Sequence, residues 1–266
     1  MFRVSSSVHP AFKTMKLQLS IWIILLLASL SLNGYAQVEY DTEDTISDRV
    51  LLRKELTGGV LVHNLGMGAQ FRTGRNITYF KSRIFEAEFV SMKHPKQIRV
   101  INPYYFNARS YVYGKLNHVY VLRGGYGIKK LLNRKPYWGG IELRYLLMGG
   151  ASLAIMKPVY LYFWDETYTI INEERYDPDN PYHGSEYIYG RAPYTSGLGD
   201  LKVSPGLMAK AGLNFEFGKY NSRIQALEAG AVAEFFPISI PIMAQNPPHN
   251  FFLTFYISFS LGKRYN

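Results

Sequence analysis

His183, Ser185 and Glu186 fall within four consecutive residues, in the stretch His183-Gly184-Ser185-Glu186. An imidazole that near a hydroxyl can take its proton and make it a nucleophile, with a carboxylate orienting the ring. The stretch sits in a long polar segment, however, and nothing beside it marks an oxyanion hole. It reads as a loop sequence, and the protein as no enzyme. Asp177-Pro178-Asp179-Asn180 gathers oxygen ligands but lacks the glycine and distal glutamate of a calcium loop, so it reads as a turn. His63, His94, His118 and His249 show no metal-ligand spacing, and neither a metal nor another cofactor is expected. With no cysteine, the chain has no lipoprotein anchor and no disulfide framework.

Two other groups of side chains suit binding rather than reaction. Tyr162, Trp164 and Tyr168 precede Tyr176, Tyr182, Tyr187, Tyr189 and Tyr194 in one segment. Tyrosine beside carboxylates suits recognition of proteins or sugars, so the last five are candidate ligand-binding residues; Tyr162 and Trp164 read as an interfacial aromatic girdle. The second group is basic: Lys93, Lys96, Arg99, Lys129, Lys130, Arg134, Lys135, Lys219, Arg223, Lys263 and Arg264. No acid interrupts 93–105, 129–136 or 219–223, whereas 164–200 holds eight acids against two arginines. The overall charge of +10 therefore hides a strong segregation by segment.

These groups must be held by strands. Leu19 to Leu32 is the one long apolar run, too short to span a membrane, with Lys16 before it and Gly34-Tyr35-Ala36 after it. It reads as a signal peptide over 1–36, with Met1 or Met15 as the start, followed by an acidic leader over 37–57 containing Glu39, Asp41, Glu43, Asp44 and Asp48. Export makes nucleic acid an unsuitable partner for the basic segments.

Beyond residue 58 the chain alternates. Phe251, Leu253, Phe255, Ile257, Phe259 and Leu261 form one face, with Thr254, Tyr256, Ser258 and Ser260 on the other. The same period of two, the signature of a β-strand, runs through 207–217, 227–235, 141–155 and 120–129. Weaker alternation over 59–72, 77–92 and 106–116 completes eight strands. The first of these places Leu61, His63, Leu65, Met67, Ala69 and Phe71 together; the last places Arg109, Tyr111, Tyr113 and Lys115 together. Glu86, Glu88, Arg123, Glu142, Arg144, Lys210, Glu216, Glu228 and Glu234 fall on the non-apolar faces and are expected inside, as a paired network.

The chain over 58–263 resembles the small eight-stranded outer-membrane proteins of the OmpA/OmpX-like kind, and the outer-membrane β-barrel chains common in Bacteroidota. The His183–Ser185 spacing is also superficially similar to the His-x-Ser pair of lipid A deacylases, where that pair sits on a strand. The resemblance implies an all-β, eight-stranded antiparallel up-and-down transmembrane barrel over 58–266, with a long extracellular loop. Such barrels often end on Phe, whereas this chain ends Lys263-Arg264-Tyr265-Asn266. With both termini periplasmic, 73–76, the region of 117, 157–202 and 237–249 are expected outside; 93–105, 132–136 and 219–222 are expected inside the periplasm.

The basic segments then form a periplasmic rim suited to lipid phosphates or an acidic partner. The expected function is a non-enzymatic structural protein or accessory subunit of an envelope secretion or assembly complex. Its expected partners are outer-membrane lipid and a periplasmic or outer-membrane protein. The alternative is an autonomous surface barrel that binds a ligand or modifies lipid A.

Overall fold

The structure is a computed structural model, and it describes residues 52–135, 140–165, 169–217 and 222–266. The signal peptide and most of the leader, with Glu39, Asp41, Glu43, Asp44 and Asp48, lie outside the described residues. In chain order the strands are β1 (Lys54–His63), β2 (Gly66–Thr78), β3 (Lys81–Met92), β4 (Arg99–Val100), β5 (Tyr111–Val112), β6 (Asn117–Asn133) and β7 (Glu142–Pro158). They continue as β8 (Tyr160–Trp164), β9 (Ile171–Arg175), β10 (Ile188–Arg191), β11 (Lys202–Glu216), β12 (Arg223–Ile240) and β13 (His249–Tyr265). Eight of them close into an antiparallel barrel in the order β1-β13-β12-β11-β7-β6-β3-β2. Closure between β1 and β13, Val60 opposite Phe259, leaves no free sheet edge.

The wall is apolar outside and polar inside. Along β13, Phe251, Leu253, Phe255, Ile257, Phe259 and Leu261 are exposed, while Thr254, Tyr256, Ser258 and Ser260 are buried. Val60 and Val62 of β1, Phe85 and Phe89 of β3, Leu122 and Tyr126 of β6, and Leu207 and Leu213 of β11 extend the exposed apolar surface around the barrel. A continuous apolar belt is unstable against water, and with every wall hydrogen bond satisfied by closure its natural solvent is lipid. The chain is therefore a transmembrane β-barrel, with the long 159–201 connection at its extracellular end. About ten tilted residues cross a bilayer. The seventeen-residue strands β6, β7 and β13 thus extend beyond the apolar band.

Inside, the barrel is filled in three layers. Toward the long-loop end Leu61, Val90, Val119, Val121, Met156, Phe236 and Phe252 pack into an apolar plug. At mid-height lies an ion network. Arg72 bonds Glu86 and grips Glu228 with both terminal nitrogens at 2.8 and 2.9 Å. Lys210 bonds Glu86 at 2.5 Å and Glu88 at 2.6 Å, and Arg123 joins Glu88 at 3.1 Å to a bidentate Glu234 at 3.0 and 2.7 Å. Tyr256 and Asn214 donate to Glu228 at 2.9 and 3.0 Å. At the short-turn end Lys129 pairs with Glu55 at 2.7 Å, Arg144 with Glu142, and Arg264 with Glu216 at 2.8 and 2.5 Å. All nine residues expected inside from alternation are there. Buried charge is tolerable only when paired in this way.

Two strand assignments from alternation are corrected. Residues 59–72 are a hairpin, not one strand: the chain reverses at Asn64-Leu65, where the Leu65 N–H donates to His63 Nδ1 at 3.2 Å. A two-residue turn inverts the phase, so Leu61 and His63 are buried while Met67 and Phe71 face out. Residues 106–116 are not a barrel strand; only Tyr111–Val112 is extended there, paired with Arg99–Val100. The strand total stays at eight, but the sides change. Residues 73–76 lie within β2 rather than in an external turn, and 93–116 joins β3 to β6 at the same end as 159–201.

Candidate functional site

Three connections meet at the long-loop end and build a cap. Residues 159–164 alternate, with Val159, Leu161 and Phe163 buried, so β8 forms a small sheet with β9 and β10 in the order β10-β8-β9. Asn180 caps the following turn by accepting from Tyr182 N–H at 3.0 Å, with Pro181 setting its first residue. Tyr111, Val159, Leu161, Phe163, Tyr176 and Ile188 form a core separate from the barrel's. The connections also bond one another. Asn102 donates to the carbonyls of Ser185 and Ile188 at 2.9 and 2.8 Å, and Tyr105 to that of Glu186 at 2.8 Å. Ala244 N–H donates to Gly114 C=O at 2.8 Å, and Val159 N–H to Leu116 C=O at 3.0 Å. Ordered loops of this kind present a fixed surface.

The His183 imidazole is part of the cap's framework. Its ring stacks on Phe163 at 4.0 Å, and the residue is buried. The Asp177 N–H donates to Nδ1 at 2.9 Å, which puts the ring proton on Nε2, donated to Glu174 at 3.2 Å. Neither nitrogen engages the Ser185 hydroxyl, and the carboxylate beside the ring is Glu174 rather than Glu186. The spacing His183-x-Ser185 is thus a turn geometry, and the three candidates are not brought together as a reacting group.

The five candidate tyrosines separate. Tyr176 is core: burial and the neighbouring Tyr113 push its hydroxyl up to about 12. Tyr182 and Tyr187 pair edge to face, with ring centroids 5.8 Å apart. Tyr189 joins Trp164 and Tyr105 in an aromatic trio, with centroids 5.8 to 6.1 Å apart. Trp164 and Tyr162 therefore belong to the cap sheet and not to a strand-end girdle. Tyr194 lines a cavity.

That cavity, of about 240 Å³, is bounded by Arg99, Arg109, Lys115, His118, Lys157 and Arg191, with Tyr111, Tyr160 and Tyr194 among its other walls. No carboxylate lines it. The turn Val112–Lys115 places Lys115 through Gly114, whose φ of +72° is a left-handed conformation that glycine adopts without strain. Lys115 and Lys157 are buried, at 6% and 4% exposure. Lys115 Nζ donates to Gln97 Oε1 at 3.1 Å, and Lys157 Nζ lies 4.5 Å over the Tyr194 ring. Burial, with Lys93 and Arg99 nearby, lowers the Lys115 ammonium to about 8. Alternation had placed Arg109 and Lys115 on one polar face. It missed their meeting with Lys157, just before the 159–201 connection, and Arg191, inside it, 42 or more residues later.

The expected periplasmic rim is likewise regrouped. Lys93, Lys96 and Arg99 stand at the cap end, because 93–116 crosses that end. Lys129 and Arg264 point into the barrel and are spent on Glu55 and Glu216. Arg134 lies over the rings of Tyr79 and Phe80 at 4.8 and 4.9 Å, and Lys135 Nζ is 4.0 Å from Glu216. Lys219 falls outside the described residues. Lys130, Arg223 and Lys263 are exposed at the short-turn end as expected. Arg53, Lys54, Arg75, Lys81 and Arg83 join them there, unforeseen because β1 and β2 had been read as one strand. Every described carboxylate on these strand ends, Glu55, Glu142 and Glu216, is buried. A collar of exposed cations results.

No protein-family model matches the chain, and no curated protein matches it by sequence. Among solved structures it is similar to Neisserial surface protein A (NspA), at 7% identity and a TM-score of 0.39 over 80% of this chain and 96% of that one. It is also similar to Ail, the attachment invasion locus protein of Yersinia pestis, at 9% identity and a TM-score of 0.36 over 80% of this chain and 99% of that one.

Proposed function

We propose that this protein is a non-enzymatic outer-membrane β-barrel that works by binding at its outer end, with the cap as its recognition surface. One observation carries the reading. Loops of 24 residues or more are ordered by their own core and mutual hydrogen bonds, yet Ile98, Ile101, Tyr104 and Phe106 stand 72, 62, 82 and 90% exposed on them. Large side chains held in water on a rigid support suit contact with a protein partner. The occupation of both His183 nitrogens by Asp177 and Glu174 supports a role without catalysis. Export by a signal peptide over 1–36 is part of the same reading.

The collar favours a second reading, an accessory subunit held by its periplasmic end. Nine exposed cations, among them Lys130, Arg134, Arg223 and Lys263, have no exposed carboxylate among the described strand ends to answer them.

Gentle extraction of tagged protein from membranes, followed by mass spectrometry, separates the two. The expected result is a stoichiometric protein retained by wild type and lost with Tyr104→Ser/Phe106→Ser. Loss with Lys130→Gln/Arg223→Gln/Lys263→Gln instead would establish the collar as the docking end. A barrel recovered bare in every case would overturn both.

A further inference from the structure

The cationic cavity lies on the outer wall of the barrel, not in its mouth. Alternation along β6 puts Val119 and Val121 inside, and His118, Tyr120 and Leu122 outside; along β7 it puts Ala154 and Met156 inside, and Ile155 and Lys157 outside. His118 and Lys157 face each other across the β6–β7 ladder, and the cap segments carrying Arg99, Arg109 and Arg191 close over them. The wall directly below is apolar. Tyr120 hydrogen-bonds Tyr194 at 2.6 Å between hydroxyls and stacks on lipid-facing Phe89 at 5.7 Å, next to exposed Leu122. The cavity thus caps the apolar belt, at the level where acyl chains give way to headgroups.

Five basic side chains converge there without a carboxylate among the described residues within ion-pairing distance of any of them. The hydroxyl of Tyr160 faces outward to Asp200 at 2.5 Å. Two of the five are buried, and an unpaired buried cation is unfavourable unless a counter-charge arrives from outside the chain. Arginine forks match the oxygens of a phosphate, and the flat rings of Tyr111, Tyr160 and Tyr194 suit the face of a sugar.

We infer that this cavity holds the phosphate-bearing sugar headgroup of an outer-leaflet glycolipid, whose acyl chains run down the wall past Tyr120, Phe89 and Leu122. The inference rests on the membrane placement of the belt, and it concerns a site distinct from the exposed loop residues Tyr104 and Phe106.

The test uses the full chain in phosphatidylcholine nanodiscs carrying either an acylated glucosamine phosphate or the same lipid with its phosphate removed. Lipid retained by the isolated protein after detergent exchange is measured by mass spectrometry. Wild type should retain the phosphorylated lipid roughly tenfold over the other, the ratio that one charge-assisted contact sustains. Arg99→Gln/Arg191→Gln, both exposed at the cavity rim, should abolish that preference with an unchanged melting midpoint. Equal retention of the two lipids by wild type, or an undiminished preference in the double variant, would overturn the assignment. Inorganic phosphate and glucosamine 1-phosphate, titrated into detergent-solubilised protein, distinguish the source. Binding as tight as that of the lipid would make the ligand a soluble phosphate and overturn the lipid assignment. Failure of the protein to enter nanodiscs at all would instead overturn the membrane placement.

Discussion

The two ends of the barrel are both rich in cations and treat them in opposite ways. At the short-turn end each inward-pointing cation has a carboxylate: Lys129 has Glu55, Arg144 has Glu142, and Arg264 has Glu216. At the cap end, buried Lys115 and Lys157 have only a glutamine oxygen and an aromatic face. The first arrangement is internally neutral and serves the fold. The second leaves charge unanswered, which is how a fold looks when it is built around something it does not itself contain.

Glu228 accepts from Arg72, Tyr256 and Asn214 in the middle of the barrel, so Glu228→Gln weakens four buried hydrogen bonds at once and leaves the Arg72 guanidinium with Glu86 as its one carboxylate. A loss of about 3–5 kcal/mol is expected, read as a lowered thermal midpoint in detergent micelles. Phe163→Ala should open the cap, with a local loss of about 3 kcal/mol. Hydrogen exchange would then rise over 159–191 while the barrel strands stay protected; a uniform rise would mean that cap and barrel unfold as one unit.

The sharpest contrast is between two lysines. Lys129→Met leaves buried Glu55 with Arg264 alone, at 3.6 Å, and should cost about 2–3 kcal/mol. Lys157→Met removes an unpaired cation and strands no carboxylate, so its midpoint should shift by no more than about 1 kcal/mol, while preference for the phosphorylated glycolipid falls. Equal destabilisation by the two would erase the distinction between the ends.

The smallest effect is one of pH. Lys115 sits near 8, below its ordinary value, chiefly through burial. Between about pH 8 and the ordinary lysine value the unfolded chain binds more protons than the folded one, so stability should rise with pH across that window. Phosphate binding should move the other way, weakening as pH rises through 8 and Lys115 loses its charge. Arg99, Arg109, Arg191, Lys157, His118, Tyr111 and Tyr194 also line this cavity, and Lys93 lies near Lys115. Lys115→Gln therefore isolates its share: the variant should bind more weakly, with a flat profile from pH 7 to 9. An unchanged profile would place the titrating group elsewhere.

Much of the wall was legible because alternation is local. Phe251 to Leu261 could be assigned to the outside, and Glu86, Glu88, Arg123 and Lys210 to the inside, from their own neighbours along the strand. The failures occurred where a turn was short or a segment mixed. The reversal at Asn64-Leu65 carries no glycine–asparagine signal at its two corner positions, and 106–116 alternates without belonging to the sheet. Those two errors cancelled in the strand count but moved Lys93, Lys96 and Arg99 to the wrong end. His183 and Ser185 look like a chemical pair in sequence because nothing nearby reveals that Asp177 and Glu174 already occupy the ring.

By itself, then, the sequence determined the strand character, the inside-out polarity and the presence of an internally charged barrel. Each follows from a period of two over ten residues. Only the tertiary structure decided which charges are paired and which are left over. Arg72 reaches Glu228 across 156 residues and Lys210 reaches Glu86 across 124, while Arg109, Lys157 and Arg191 meet around a cavity. Pairing depends on which strands become neighbours when the barrel closes and on where the loops fold back, and neither is a property of any short stretch of chain.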